Sequence, residues 1–257
     1  MTQVAIGGSR DVGVLVVTDA PEDTAKRAAA LLCGTVRKAT SAAPEQLGGW
    51  VTTVGDGFQL FFVDPDTAGS RFGRGYAGFI VDRDCVAGID AGAFASPAGL
   101  PLLALLDDPG ACGSNDAPLT FDHIAVVLAP SMTLPQVGLA GWEVDPRRSG
   151  WIFDGLGSTT VMLRSGCAAV EVNAPIGEGI FSRMARRFGS CVVAPVLRVA
   201  DNGAGAAYWD CRKNGNPFAL AGARAGSATV SFGTVVRAVL DERGYLPVYI
   251  WHGTWPP

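Results

Sequence analysis

The chemistry this chain can offer rests on few side chains. Its 257 residues include only two histidines, His123 and His252. His123 lies in Phe121–Leu128 (FDHIAVVL), an apolar, β-branched run. Glu171 interrupts a second apolar run, Ala168–Asn173 (AAVEVN). A carboxylate held in an apolar cavity has its proton affinity raised by desolvation, which suits it to proton transfer near neutral pH. An imidazole and such a carboxylate together could isomerise, cyclise or dehydrate a molecule with an acidic C–H. They could also supply two ligands to a divalent metal, held weakly unless the substrate adds oxygens. The competing reading is a solvated Glu171 at a strand edge and a His123 hydrogen-bonded within the core.

Other chemistries find little support. Cys33, Cys85, Cys112, Cys167, Cys191 and Cys211 are widely spaced with no C-x-x-C pair, which excludes a zinc ribbon or thioredoxin-like motif. They are expected to be reduced and mostly buried, with Cys191 the one candidate for a reactive thiol. Two histidines allow no Ser/His/Asp set. Gly7-Gly8-Ser9 and Gly155-Leu156-Gly157 read as turns, since neither joins a strand to a helix as a phosphate loop must. With a net charge of −4 and no basic run, nucleic acid is not an expected partner. No charge-free apolar stretch approaches the ~18 residues of a membrane span. Met1–Arg10 lacks the apolar centre of a secretory signal, so a cytoplasmic location is expected. Hydrophobic residues make up 48% and charged residues 17%, enough to build a core and too apolar for disorder.

The elements that must position these groups follow a recurring order. Val12–Thr18 reads as a strand. A helix opens at Pro21-Glu22-Asp23 and runs to about Leu32, with Gly34 as its terminator. Gly49–Val54 and Phe58–Val63 form a hairpin about Gly55-Asp56-Gly57. A second unit starts at Tyr76, with strands at Ala77–Val81 and Pro101–Leu106 around a Gly/Pro-rich stretch. Asp107–Pro118 reads as a linker. A third unit carries Phe121–Leu128, a connection over Met132–Gly141, and strands at Gly150–Phe153, Thr159–Arg164 and Ala168–Asn173. A helix at Ile180–Phe188 leads into a fourth: strand Cys191–Val199, helix Gly203–Asn214, then strands at Ala228–Ser231, Val235–Asp241 and Pro247–Trp251. The order β, α, β, β, β thus recurs every ~50–70 residues, which argues for a modular α+β fold.

Four stretches resemble the catalytic domain of the 4-hydroxyphenylpyruvate dioxygenases, members of the vicinal-oxygen-chelate superfamily (glyoxalase, bleomycin-resistance and extradiol dioxygenase proteins). Phe121-Asp122-His123-Ile124 resembles the strand bearing the first iron-binding histidine. Leu163-Arg164-Ser165 through Val172-Asn173-Ala174-Pro175 is similar to the arginine-serine strand and asparagine-proline hairpin. Cys191–Asp201 resembles the strand with the second histidine, and Tyr245–Gly253 the strand with the iron-binding glutamate. The resemblance covers roughly residues 120–253, with a fainter echo over 12–108. His123 keeps the first ligand; Ala194 and Tyr249 stand at the other two positions. The chain also ends soon after its last strand, so the family's C-terminal lid helix is not expected. With Tyr249 inward, alternation turns Trp251 inward and His252 outward, so His252 as a relocated ligand would need a bulge. Glyoxalase-type relatives carry a metal-binding glutamate on the strand of Glu171, which implies that Glu171 and His123 face one cavity.

The expected architecture is therefore α+β: two domains, residues 1–108 and 119–257, each a pair of βαβββ modules whose mixed sheets curl around a cavity, the second holding the site. The preferred function is an enzyme performing non-oxidative proton transfer (isomerase, cyclase or lyase) on an aromatic or keto-acid type substrate in secondary metabolism. The alternatives are a metal-free protein that sequesters a ligand such as an antibiotic, and a metal-dependent dioxygenase with a relocated ligand. His123 and Glu171 are the expected base and acid, or the partial ligands of a weakly held divalent metal such as iron, if any cofactor binds. Trp151, Phe153, Tyr249 and Trp251 are candidates to contact a planar substrate, and Arg198 to clamp a carboxylate. The expected partner is a small molecule, with a homodimer left open.

Overall fold

The structure, a computed structural model, describes residues 12–39, 49–55, 57–68, 74–82, 102–105, 116–131, 142–165, 168–213, 217–219, 223–225, 228–230 and 233–253. The expected linker over Asp107–Pro118 falls mostly outside them. So do the Gly/Pro-rich stretch of the second unit, the Met132–Gly141 connection and Gly7-Gly8-Ser9.

Among the described residues two mixed sheets form, and neither closes into a barrel. The first contains β1 (Val12–Val17), β2 (Thr35–Lys38), β3 (Trp50–Val54), β4 (Phe58–Val63), β5 (Gly75–Asp82) and β6 (Leu102–Leu105), with helices α1 (Pro21–Leu32) and α2 (Pro65–Ala68). Its order is β2-β3-β4-β1-β5-β6. The second contains β7 (Leu119–Val127), β8 (Glu143–Asp145), β9 (Ile152–Phe153), β10 (Ser158–Ser165), β11 (Ala168–Pro175), β12 (Cys191–Val199), β13 (Pro217–Ala219), β14 (Ala223–Ala225), β15 (Ala228–Val230), β16 (Thr234–Val239) and β17 (Pro247–His252). Helices α3 (Ile180–Phe188) and α4 (Gly203–Arg212) flank β12 in sequence. Its order is β13-β16-β17-β12-β7-β11-β10-β9-β14-β15, with β8 also paired to β10.

The modular order anticipated above has a specific pairing behind it. In each of the four units the first strand pairs in parallel with the last described strand of its own unit: β1 with β4, β5 with β6, β7 with β11, and β12 with β17. A parallel return needs a crossover, and α1 and α4 supply it in the first and last of these units. α1 begins with proline and carries Glu22 and Asp23 in its first turn, as a helix N-terminus favours. Its end differs from expectation, because Cys33 rather than Gly34 takes the left-handed conformation (φ 53°). Gly34 is needed for another reason: a Cβ there would lie 2.5 Å from the carbonyl oxygen of Thr53 on β3.

The sheets share an apolar core. Val14, Phe58, Leu60 and Phe62 of the first pack with Ile124, Val126, Val170, Val172, Val248 and Ile250 of the second. Phe58 and Phe121 stack across this boundary, with ring centroids 4.7 Å apart and planes 8° from parallel. Phe58 is fully buried, so Phe58→Ala should cost about 3–5 kcal/mol in urea unfolding. A loss below about 1 kcal/mol would contradict the shared core. The expectation of mostly buried thiols fails for the described cysteines: Cys33 and Cys211 are exposed and Cys191 is partly so. Cys33 occupies a helix terminus and Cys211 the last turn of α4, where side chains meet solvent. Among the described residues no helix is long and apolar enough to cross a membrane.

Candidate active site

A break in β7 creates the site. Leu119 and Phe121 face the shared core, and so do Ile124, Val126 and Leu128, although strict alternation cannot place both sets on one face. The pairing with β12 explains it: Val196 opposes His123 while Leu197 opposes Phe121, leaving Asp122 as the extra residue of a β-bulge. Beyond the bulge His123, Ala125 and Val127 turn to the opposite face, where a cavity of about 830 Å³ opens. The bulge also lets neighbouring residues meet, with the Asp122 carboxylate 3.0 Å from His123 Nδ1.

Glu171 approaches from β11, where it pairs with Ala125 of β7. Its Oε2 lies 3.6 Å from His123 Nε2. Both side chains line the cavity and are largely shielded, with exposures of 7% and 12%. The imidazole is thus held at Nδ1 by one carboxylate and faces a second at Nε2.

Four further residues brace this pair, two directly and two through them. Arg148, buried at the end of the 3-10 turn Pro146–Arg148, donates to the Asp122 carboxylate, and its guanidinium lies 3.4 Å from His123 Nδ1. Asp145 caps that turn by accepting from the Arg147 backbone N–H at 3.0 Å. Asn173, two residues beyond Glu171 and on the same face, donates to Glu171 Oε2 and to the Val126 carbonyl, each at 3.2 Å. Ser158 donates to Asn173 Oδ1 at 3.2 Å, which fixes the orientation of the amide.

These partners reverse the expected protonation of Glu171. Burial alone pushes a carboxyl upward. Here the hydrogen bond and charge of His123, the Asn173 amide and the Arg148 guanidinium outweigh it and hold Glu171 below its ordinary value of 4.5. Burial likewise disfavours the imidazolium, yet the carboxylates of Asp122 and Glu171 raise His123 above 6.5. Asp122 opposes its own burial through His123 and Arg148 and lies well below the usual carboxylate range. Both shifts favour the imidazolium beside the carboxylate.

The remaining candidates divide. Phe153, Tyr249 and Trp251 line the cavity. Trp151 does not: it is buried, and its indole N–H donates to the Arg147 carbonyl at 3.2 Å, bracing the turn that carries Arg148. Arg198 does not line it either. Two residues beyond Val196 and opposite Trp251 in the register, it pairs with Asp201 and lies over the Trp251 ring at 5.9 Å. Cys191 lines the cavity, and burial pushes its thiol up to about 11, away from a nucleophilic thiolate. His252 stacks on Trp209 at 4.7 Å, on the face away from Tyr249 and Trp251.

The metal donors form a short set. His123 and Glu171 point to one place. Ala194, at a position where the resemblance implies a histidine, pairs with Ala125 and is fully buried with only a methyl group to offer. Among the described residues no three His, Cys, Asp or Glu side chains gather as a metal site would require.

Asp122 and Arg148 are absent from the pattern-based candidates. Adjacent strand residues should face opposite ways, and only the bulge unites Asp122 with His123. Asn173 did leave a signal, since the i, i+2 spacing places it on the face of Glu171.

No family model and no curated protein sequence matches the chain. Solved structures do. A triple mutant of 4-hydroxymandelate synthase from Streptomyces coelicolor matches with a TM-score of 0.55 at 16% identity, over 98% of this chain and 94% of that one. The 2,2',3-trihydroxybiphenyl 1,2-dioxygenase of the dibenzofuran-degrading Sphingomonas wittichii strain RW1 matches with a TM-score of 0.51 at 13% identity, over 97% and 91%. Identities this low speak for the path of the chain alone. With its mixed, unclosed sheets and these likenesses over nearly its whole length, the chain has the vicinal-oxygen-chelate fold.

Proposed function

We propose that this protein is an enzyme that moves a proton on a small molecule with a carbonyl-activated C–H, without net oxidation. One observation carries the reading: a buried imidazole and a buried carboxylate meet at 3.6 Å in the wall of a cavity large enough for an aromatic acid. In this reading Glu171 is the base and His123 the acid, opposite to the first assignment, because of the protonation state derived above. The Glu171 carboxylate takes the α-proton, and the C–H electron pair moves into the C–C bond. The carbonyl π pair moves to oxygen, which receives the Nε2 proton of His123. Return of a proton from Glu171 to another carbon, or to the other face, while the enol O–H proton goes back to Nε2 and the C=O re-forms, completes an isomerisation. Asp122, accepting from Nδ1, keeps Nε2 aimed at the cavity, and Asn173 does the same for Glu171.

The donor set favours this reading over a resident iron, which needs two imidazoles and a carboxylate on one face. His252 is turned away, so it does not supply a relocated ligand. One of the two structural neighbours is a dioxygenase by name, and among the described residues of the present chain no third donor joins His123 and Glu171. The α+β modules remain best read as two domains, 1–108 and 119–257.

The test uses phenylpyruvate as probe in deuterium oxide, with exchange of its benzylic protons followed by proton NMR. The protein should accelerate exchange over buffer, and should do so after exhaustive treatment with a chelator. Binding of the probe with exchange no faster than buffer would turn the reading to a ligand-sequestering protein.

A further inference from the structure

The cavity that holds the proton-transfer pair extends well past it, and its far wall carries a different chemistry. Four residues from four adjacent strands form one register row across the second sheet. Arg237 of β16 pairs with Tyr249 of β17, Tyr249 with Val196 of β12, and Val196 with His123 of β7. Paired residues share a face, and all four line the cavity. With strands ~4.8 Å apart, the Cα atoms of His123 and Arg237 are separated by about 14 Å along the sheet. Between them the floor is a valine and a phenol ring, and Trp251 and Val235 form the adjacent row.

The charges along this cavity are unevenly placed. The carboxylate among its lining residues, Glu171, lies at the His123 end. Three arginines line it: Arg74, Arg187 and Arg237. Arg74 is committed to Asp19 at 2.8 Å. Arg237 instead donates to the Gly244 carbonyl at 2.9 Å, a contact that steadies the guanidinium in the wall without neutralising it. Arg187 lies over the Phe188 ring at 5.1 Å at the end of α3, beside the exposed Phe188.

We propose that Arg237, with Arg187 at the rim, forms a subsite for the anionic end of an elongated substrate whose middle is apolar or aromatic and whose reacting carbon sits at His123 and Glu171. The inference rests on the proton-transfer reading for the position of the reacting carbon, but the anion site itself stands on the row of residues. A guanidinium presents two parallel N–H donors to a carboxylate or phosphate. Arg237 is exposed, so it can take up that anion at the solvent-facing end of the cavity. The substrate class is thus an amphipathic acid, entered tail-last from the arginine side.

Phenylhexanoate and its uncharged amide, phenylhexanamide, serve as matched probes, titrated calorimetrically against the full chain. The acid should bind at least tenfold tighter than the amide. Arg237→Gln should remove that preference while leaving the amide's affinity unchanged, and Arg237→Lys should keep part of it, since a point charge replaces the fork. Arg198→Gln, which removes an arginine outside the cavity, should leave the preference intact and so exclude a bulk charge effect. Equal binding of acid and amide by the unaltered protein, no binding of the acid, or equal loss of both in Arg237→Gln overturns the anion site. Phenylpyruvate exchange read on the same samples separates the two claims. Exchange without the acid preference leaves proton transfer standing and removes the subsite; the preference without exchange does the reverse.

Discussion

Glu171→Gln is expected to lower the rate of proton exchange by about 10²–10⁴-fold, the usual contribution of a positioned general base. Glutamine keeps the shape and still accepts from Asn173, so the cavity and its probe affinity should persist. The loss should therefore fall on kcat, with KM changed little. The pH profile gives a second signature. Glu171 must be ionised and is held below 4.5, so the acid limb should lie below that value. His123 must carry its proton and is held above 6.5, so the alkaline limb should lie above that value. In Glu171→Gln the acid limb should vanish. His123, having lost one of the carboxylates that raise it, should give up its proton at lower pH. A variant with unaltered exchange and an unchanged profile would remove Glu171 from the chemistry.

Much of this arrangement can be read from the residue pattern, and the part that cannot has a definite cause. The order of strands and helices follows from apolar runs, turn residues and the proline and acidic residues that open α1. The pairing of the units, β1 with β4 and β12 with β17, does not, because it depends on contacts between residues far apart in the chain. Tyr249 and Trp251 inward with His252 outward follows from alternation in an unbroken strand, and β17 is unbroken. β7 is interrupted, and there alternation misleads: it separates Asp122 from His123, which the bulge joins. The protonation of Glu171 departs from the expectation for a related reason. Desolvation is legible from an apolar neighbourhood, whereas the opposing Asn173, Arg148 and His123 enter only once the strands are placed. Trp151 and Arg198 show the limit of residue type as a guide. An aromatic and an arginine near the site serve as a brace and as a partner for Asp201, while Arg237, which lines the cavity, sits in a strand that looks ordinary.

The buried pair beneath His123 should weigh on stability as heavily as the Phe58 core position. Asp122 and Arg148 are 5% and 9% exposed, and each is the other's counter-charge. Asp122→Ala leaves the Arg148 guanidinium in the interior without that carboxylate, and the expected cost is about 3–5 kcal/mol in denaturant unfolding. Removing both charges with the double change to Asp122→Leu and Arg148→Met should recover most of that loss, since a packed apolar pair has no desolvation to overcome. It should not recover catalysis, because nothing then holds His123 Nδ1. The pH dependence has a definite sign. Asp122 is depressed in the folded protein, so its contribution is complete above the ordinary carboxylate value of 3.8 and is lost as pH falls through the lower folded value. His123 is raised, so its contribution is complete below 6.5 and fades as pH rises through its higher folded value. Stability from this cluster should therefore be greatest between about pH 4 and 6.5, and flatter in the double variant. If Asp122→Ala unfolds at the same denaturant concentration as the unaltered chain, the cluster is not the support of the site that its burial and contacts imply.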